Sequence, residues 1–192
     1  FDLLRYLFPH TATAINSDQT GKVLKFIYEG LTNTDRRVQE DEPVTPMFLY
    51  AIMLWHPILD LAQRIRIGEK SSEIEALLDA CDELVAEQQA YTSYPRRFSI
   101  PMKDVLVMQR RFEHRRGVRA HRLLAHKRFR AAYDFLLLRA RCKEADSELA
   151  KWWTEVQTLS LGEQREAFSL ERQRRSKRRR PSRQERKPRA SQ

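Results

Sequence analysis

Residues 109–140 read QRRFEHRRGVRAHRLLAHKRFRAAYDFLLLRA, a run in which arginines alternate with apolar side chains. Phe112, Leu123, Phe129 and Tyr133 are spaced so that two short helices can bury them on one side. The arginines then lie on the opposite faces, at the surface. The run therefore predicts a helical segment that exposes a dense set of guanidinium groups on a packed support.

The segments on either side of this run also have helical patterns. Upstream, a helix is predicted to begin at Pro101 and to close at Gly117, a left-handed cap after an arginine-rich turn. RRFSIP, residues 96–101, is predicted to be an extended linker, because a residue before proline is disfavoured in the helical region. Downstream, residues 147–159 predict a final helix that holds Trp152 and Trp153.

The first half of the chain predicts further helices. Residues 1–8 resemble the end of a helix that Pro9 stops. A second helix carries Val23, Leu24, Ile27, Tyr28 and Leu31 on one face, and residues 33–46 then break the pattern. We expect an apolar helix from Pro46 that Pro57 kinks or splits. Ser72 and Glu75 form a capping box that opens the next helix.

Composition supports an all-α fold of about six or seven helices. The 192 residues are 41% hydrophobic and 32% charged with only 5 glycines, which disfavours a fold of many tight turns. We divide the chain into a helical body segment at 1–91, an arginine-rich helical segment at 92–159 and a disordered basic tail at 160–192.

Charge is the strongest functional signal. The net charge is +10, and residues 92–144 carry 15 basic against 4 acidic side chains. Residues 171–192 carry 11 against 2, whereas residues 1–91 are acidic, with 8 against 15. Two basic blocks beside an acidic remainder are typical of nucleic-acid binders. Planar guanidinium groups suit phosphate oxygens and can stack on unpaired bases, which favours single-stranded RNA at least as much as duplex DNA.

No reaction centre is evident. The glycines are scattered singly, so no phosphate-binding loop is present, and no Asp-x-Asp pair occurs. The acidic run Glu40–Glu42 is read as a solvated turn. His114, His121 and His126 are read as hydrogen-bonding or phosphate-contacting residues, because a cationic neighbourhood disfavours a divalent metal. We therefore predict no catalytic residue, no metal site and no cofactor in this chain.

The candidate RNA-binding residues are the cations of the basic block. They are Arg96, Arg97, Arg110, Arg111, Arg115, Arg116, Arg119, Arg122, Lys127, Arg128 and Arg130. Phe112, Phe129 and the Trp152-Trp153 pair could be stacking platforms, but at helical spacing we expect core positions, with one tryptophan partly exposed.

Several of these strings together resemble a known family. The first two strings are NTDRR at 33–37 and PVTPMFLYAIMLWHPIL at 43–59. RRFSIP follows, and then Q-x-R-F-E-x-R-x-G-x-R-A-x-x-L-L-x-H from Gln109. The last features are RFRAAYDFLLLRA, the Trp-Trp pair and a basic end. From about Asn33 to Trp153, the chain is similar to the C-terminal part of the bacterial poly(A) polymerase I family. It resembles this family more than the related CCA-adding tRNA enzymes.

The resemblance implies an enzyme that adds adenosines to RNA 3′ ends without a template, using ATP and magnesium. The family's catalytic head carries a Gly-Ser turn and an Asp-x-Asp pair; neither is in this chain, so the chain alone is expected to be inactive. The matched segment is similar to the helical RNA-binding body, and Arg110, Arg115, Arg116, Arg119, Arg122 and Arg130 occupy motif positions. Lys127 stands where the family often has proline, which leaves the start of the following helix uncertain.

The expected partners are single-stranded RNA 3′ ends and the missing N-terminal catalytic head; the oligomeric state stays open. The alternative is a non-catalytic helical interaction module whose basic tail docks an acidic protein or the ribosome. No apolar run reaches the ~18 residues that cross a bilayer, so we expect no membrane partner. Cys81 and Cys142 lack metal or disulfide spacing, so we expect a cytoplasmic setting and buried thiols. Because residue 1 is Phe1 and not Met, we expect a fragment of a longer product.

Overall fold

The computed structural model describes residues 2–178, with side chains for residues 3–169, and all regular structure in this range is helical. The all-helical class predicted from the sequence is confirmed, although the described range holds ten helices and not six or seven. The helices are α1 (Asp2–Leu7), α2 (Pro9–Ser17), α3 (Lys22–Gln39), α4 (Pro46–Glu69), α5 (Glu73–Gln88), α6 (Arg96–Arg111), α7 (Gly117–Leu124), α8 (Phe129–Arg141), α9 (Ser147–Thr158) and α10 (Leu161–Arg178).

Helix α4 is the centre of the molecule. It packs against α2, α3, α5 and α6, and α6 packs in turn against α8. Ile52, Leu54, Trp55 and Ile58 are fully buried, as expected for a helix that is apolar around most of its circumference. Pro57 does not split this helix, because α4 continues to Glu69 and the proline itself is buried.

Two aromatic clusters tie the helices together. In the first, the ring of Phe135 from α8 meets Trp55, Phe26 and Phe48 edge-on, at centroid distances of 5.4, 5.6 and 5.9 Å. Edge-to-face contact is a favoured arrangement of aromatic rings, because the positive ring edge meets the negative face. This cluster joins α3, α4 and α8.

The second cluster joins the α6 end, α8, α9 and α10. Phe112, Phe129, Trp153 and Phe168 are all buried. Trp153 Nε1 donates a hydrogen bond to the carbonyl of Phe112 at 2.9 Å, which satisfies its only polar atom. Trp152 is half-buried. The expectation that Phe112 and Phe129 are core residues, with one tryptophan partly exposed, is confirmed.

A buried polar network fixes the end of α8. Glu144 accepts from Trp55 Nε1 at 3.1 Å and lies 2.8 Å from His56 Nε2. Arg139 donates to the carbonyl of Glu144 at 3.0 Å and contacts Gln109 at 3.4 Å. Burial lowers the pKa of Arg139 to about 10. Each of these side chains has at least one polar partner, but Nδ1 of His56 and Nε of Arg139 are buried without a hydrogen-bond partner among the described residues.

Helix α3 differs from its prediction in length and in orientation. It runs to Gln39, past the expected break at residue 33. Val23 and Ile27 are buried together with Phe26, but Leu24, Tyr28 and Leu31 are exposed. The apolar side chains of α3 therefore extend around more of the helix surface than α4 and α8 cover.

The prediction of a helix opened by Ser72 is confirmed, and the prediction of a linker at residues 96–101 is wrong. The Ser72 side chain accepts from the Glu75 amide, and the Glu75 carboxylate accepts from the Ser72 amide. The RRFSIP segment forms the first turns of α6: the N-cap residue Pro95 has a ψ of 146°, and the backbone is helical from Arg96 through Ile100 although Pro101 follows. Pro101 lies inside the helix, and burial of this ring and of Met102 offsets the lost backbone hydrogen bond.

The prediction that Gly117 closes the helix begun at Pro101 is also wrong. Helix α6 ends at Arg111, and Gly117 opens α7 with a φ of 59°. A left-handed glycine can serve at either end of a helix, and here it lets the chain turn from α6 into α7. The start of α8, which the sequence left uncertain, is set by His126, whose Nδ1 accepts from the Arg128 amide at 3.2 Å.

The expected disordered tail at 160–192 is corrected in its first part. Residues 161–178 form α10, which packs against α7, and Phe168 is almost fully buried. Gln164 Nε2 donates to the carbonyls of Val156 and Leu159, which fastens α10 to the end of α9. Apolar contact at one turn is enough to fix a helix whose composition is mostly polar. The rest of the predicted tail, residues 179–192, lies outside the described residues.

Two further expectations concern the cysteines and membrane spans. Cys81 and Cys142 are both buried and unpaired, as predicted, and burial raises the pKa of the Cys81 thiol to about 12. None of the described helices combines the length and the apolar character that crossing a bilayer requires.

Candidate nucleic-acid interface

The structure distributes the eleven candidate cations over three places. Arg96, Arg111, Arg119 and Arg122 line one continuous groove beside α5, α6 and α7. Lys127, Arg128 and Arg130 line a separate pocket between α3, α4 and α8. Arg97, Arg110, Arg115 and Arg116 lie outside both.

We call the first of these the arginine groove. It consists of two adjoining cavities of about 450 Å³ each, which share Arg111 and His126. Its lining residues are Ile74, Leu78, Asp82, Arg96, Ile100, Lys103, Asp104, Val107, Met108, Arg111, His114, Arg119, Arg122, Leu123 and His126.

The α7 half of the groove is uniformly basic. Arg111, Arg119 and Arg122 line it together with His114 and His126, and its residues include no carboxylate among those the structure describes. Its apolar floor comes from Ile74 and Leu123. Three guanidinium groups over an apolar floor suit a phosphate backbone whose sugars and bases supply apolar surface.

Helix α7 holds two of these arginines in position. Arg119 and Arg122 are three residues apart, so they lie on the same face of the helix. Ala120 and Leu123 each follow one of these arginines by one residue, and they are buried on the adjoining face, against the rest of the body. The short helix therefore presents both guanidinium groups from a fixed support.

The α6 half of the groove is mixed in charge. Arg96 and Lys103 face Asp82 and Asp104 there, and Lys103 is paired with Asp82. Arg96, Arg111, Arg119 and Arg122 form no ion pair with any residue in the described range, so these four remain available to a ligand. The electropositive part of the groove is thus its α7 half.

Four candidates have other surroundings. Arg110 is paired with Glu73 at 3.1 Å and with Glu113 at 3.7 Å. Arg115 lies over the ring of Trp152, 5.6 Å from its centroid. Arg116 is the half-buried N-cap residue of α7, and Arg97 is exposed beside Phe98. Arg110 and Arg115 have neighbours that account for their positions in the absence of RNA.

We call the second site the α3–α8 pocket, a cavity of about 280 Å³. It is lined by Asn33, Thr34, Arg37, Pro43, Val44, Thr45, Met47, Phe48, Lys127, Arg128, Arg130, Ala131 and Asp134. Arg37 and Arg130 both approach the carboxylate of Asp134, at 3.8 and 3.2 Å. Burial raises the pKa of Asp134, although the two arginines oppose this effect.

Sequence reasoning missed two cations that the fold adds to these sites. Lys103 joins the arginine groove and Arg37 joins the α3–α8 pocket. Arg37 belongs to the NTDRR string, so the family resemblance already contained a signal for it. Lys103 lies two residues after Pro101 on a helix whose start was misplaced, which hid its proximity to Arg96 and Asp82.

The described residues contain no group of three or more His, Cys, Asp or Glu side chains placed to hold a metal ion. Glu40 and Glu42 are exposed and form ion pairs with Arg36 and Arg37. The described chemistry is that of an arginine-rich, all-helical module with cationic surfaces.

A known protein family has this arginine-rich character. The family model for the polymerase A arginine-rich C-terminus matches residues 69–187, so the chain belongs to this family. The match covers both halves of the arginine groove and α10.

Curated relatives agree with this assignment. The chain is 34% identical over 168 residues to poly(A) polymerase I of Escherichia coli O6:H1 and 32% identical over 167 residues to poly(A) polymerase I of Salmonella typhi, in each case across 86% of the chain. It is 30% identical over 175 residues, 91% of the chain, to poly(A) polymerase I of Haemophilus influenzae. The chain spans only 36% to 38% of the length of these relatives.

Proposed function

We propose that this chain is the RNA-binding part of a poly(A) polymerase, and that it acts by holding single-stranded RNA near its 3′ end. The observation that carries this proposal is the α7 half of the arginine groove, where three arginines without ion pairs among the described residues surround an apolar floor. Membership in the arginine-rich C-terminal family supports it.

The chemistry of the groove favours backbone contact over base recognition. Guanidinium groups bind phosphate oxygens in every sequence, so preference among bases should be slight. Ile74 and Leu123 offer apolar contact to sugars or bases without directional hydrogen bonds. The strand would therefore be held by charge and could move along the groove as it lengthens.

The catalytic step belongs, in this proposal, to the part of the polymerase that this chain lacks. Adenosine transfer from ATP with magnesium would take place on the N-terminal head, and this chain alone would be inactive. Its setting would be the cytoplasm. Its contribution would be to raise the local concentration of the RNA end at the active site of the head.

The test compares two double variants with the same change of charge. Arg119→Glu with Arg122→Glu alters the groove, and Arg64→Glu with Arg66→Glu alters two exposed arginines of α4. We expect the groove variant to bind a single-stranded oligonucleotide at least about tenfold more weakly, since each lost charge-assisted contact is worth roughly 1.5–3 kcal/mol. Fluorescence anisotropy measures both affinities, and circular dichroism verifies the helical content.

Salt dependence supplies a second readout of the same variants. For a single strand, the log–log slope changes by about 0.7 for each phosphate contact, so the loss of two contacts should flatten the slope by about 1.4. If the groove variant and the α4 variant bind RNA equally well, the groove is not the RNA site.

A further inference from the structure

We propose that the α3–α8 pocket is a binding site for a single nucleoside 5′-monophosphate, separate from the RNA groove. This inference does not depend on the proposed function, because it rests on different residues and a different cavity. The pocket combines four cations with a single carboxylate and an apolar wall.

Two of the cations are not neutralised by any of the described side chains. Arg37 and Arg130 share Asp134, and Arg37 also approaches Glu42 at 3.4 Å. Lys127 and Arg128, by contrast, form no ion pair with any residue that the structure describes. The Arg128 Nε atom is buried and has no hydrogen-bond partner in this range, which is an unfavourable state for a charged donor. Because the Arg128 side chain lines the pocket, a phosphate bound there would give this guanidinium group a charged acceptor.

Two helix starts add to the positive potential. Thr45 is the N-cap of α4 and Arg128 is the N-cap of α8, and residues from the first turn of both helices line the pocket. Neither start has a side-chain cap, so amides of the first turns lack a side-chain acceptor. The helix dipoles favour an anion at the same place as the unpaired cations.

The opposite wall of the pocket is apolar. Pro43, Val44, Met47 and Phe48 line it, with Phe48 held edge-on against the buried ring of Phe135. A flat base can lie against such a wall while its phosphate reaches Lys127 and Arg128. At about 280 Å³ the cavity is near the lower end of small-molecule sites, which gives room for one nucleotide and not for a strand.

The test is calorimetric titration of the full chain with three probes. AMP presents both a base and a phosphate, whereas adenosine and inorganic phosphate present one feature each. We expect AMP to bind at least about tenfold more tightly than either of the others, because each half contributes its own contacts. If phosphate alone binds as tightly as AMP, the apolar wall contributes nothing and the nucleotide assignment is wrong.

Two pocket variants and one groove variant complete the test. Lys127→Glu removes an exposed cation, and Val44→Glu places a carboxylate in the connection before α4; neither residue is fully buried. Each should weaken AMP binding by about tenfold or more, as expected when one charge-assisted contact is lost. Arg119→Glu should leave AMP binding unchanged.

Competition with RNA separates this inference from the proposed function. We expect a single-stranded oligonucleotide that saturates the groove to leave AMP bound. If the oligonucleotide displaces AMP, and Lys127→Glu weakens RNA binding as much as the groove variant does, the pocket is part of the RNA path and the inference fails. If the groove variant leaves RNA binding intact while AMP binding follows the pocket variants, only the proposed function fails.

Discussion

Gly30 is a point of close approach between α3 and α4. A Cβ atom added there would lie 2.8 Å from Ile52 Cδ1 and 2.9 Å from Ile52 Cγ2, and Ile52 is fully buried. Ile52 is β-branched, so its χ1 angle is restricted, and its full burial leaves little room for another rotamer. The close contact explains why a residue with low helix propensity stands in the middle of an 18-residue helix.

We therefore expect Gly30→Ala to destabilise the protein by about 1 kcal/mol. Overpacking costs about 1–3 kcal/mol, and the better helix propensity of alanine returns up to about 1 kcal/mol. Urea unfolding measures the change. The matched control is Gly68→Ala in α4, where nothing lies within 4 Å of the added atom and a small gain is expected.

A double variant tests the cause. Ile52→Val removes the Cδ1 atom, so Gly30→Ala should cost less in that background than in the natural chain. Equal costs in both backgrounds would mean that Ile52 is not the obstacle.

At the scale of the element, sequence reasoning succeeded where the signal was local and complete. Ser72 and Glu75 cap α5 with their own side chains, and nothing distant is needed to form the box. The helix predicted at 147–159 is α9, because its apolar residues repeat regularly, and the structure adds that Asp146 caps its start. The all-helical class follows from such patterns.

Sequence reasoning failed where the same residue type is compatible with two different local structures. Gly117 in the left-handed region can end one helix or begin the next, and only the packing of α7 decides between them. Proline can precede a helix or lie in its early turns, so Pro95 and Pro101 did not define a linker. In the candidate site, the residue types were predictable, but the separation of Arg119 from Lys127 by the turn into α8 was not.

The geometry of Gly117 leads to a prediction for α7. Gly117→Ala would place an L residue at a φ of 59°, which costs about 1–2 kcal/mol even though no atom lies within 4 Å of the added Cβ. We expect faster amide hydrogen exchange in α7 and weaker RNA binding, because α7 carries two groove arginines. Gly162→Ala in α10, also with open space around it, is the control and should change neither measurement.

Two results would contradict this prediction for Gly117→Ala. If Gly117→Ala leaves exchange in α7 unchanged, the left-handed residue is not needed for the turn between α6 and α7. If exchange increases while RNA affinity is unchanged, the support of Arg119 and Arg122 by α7 does not matter for binding.

At the scale of the whole molecule, the C-terminal part divides into a packed anchor and a basic end. Phe168 belongs to the core, with its ring 4.6 Å from His121 and 5.8 Å from Trp152. Residues 171–192 follow this anchor and contain 11 basic side chains. The first contributes buried apolar surface and the second carries charge, so truncations on either side of the Phe168 anchor should affect different properties.

We expect a chain that ends at Leu170 to keep the stability of the full chain and one that ends at Ser160 to lose it. Removing the buried Phe168 ring should cost about 3–5 kcal/mol, and Phe168→Ala in the full chain should cost a similar amount.

The chain that ends at Leu170 should bind RNA more weakly and with a smaller salt slope than the full chain, because it lacks the basic end. In this shortened chain, the double change Arg119→Glu with Arg122→Glu should weaken RNA binding further. If instead the chain that ends at Leu170 is folded and binds no RNA, the groove is only a support for the basic end, and the arginines of α7 do not hold the strand.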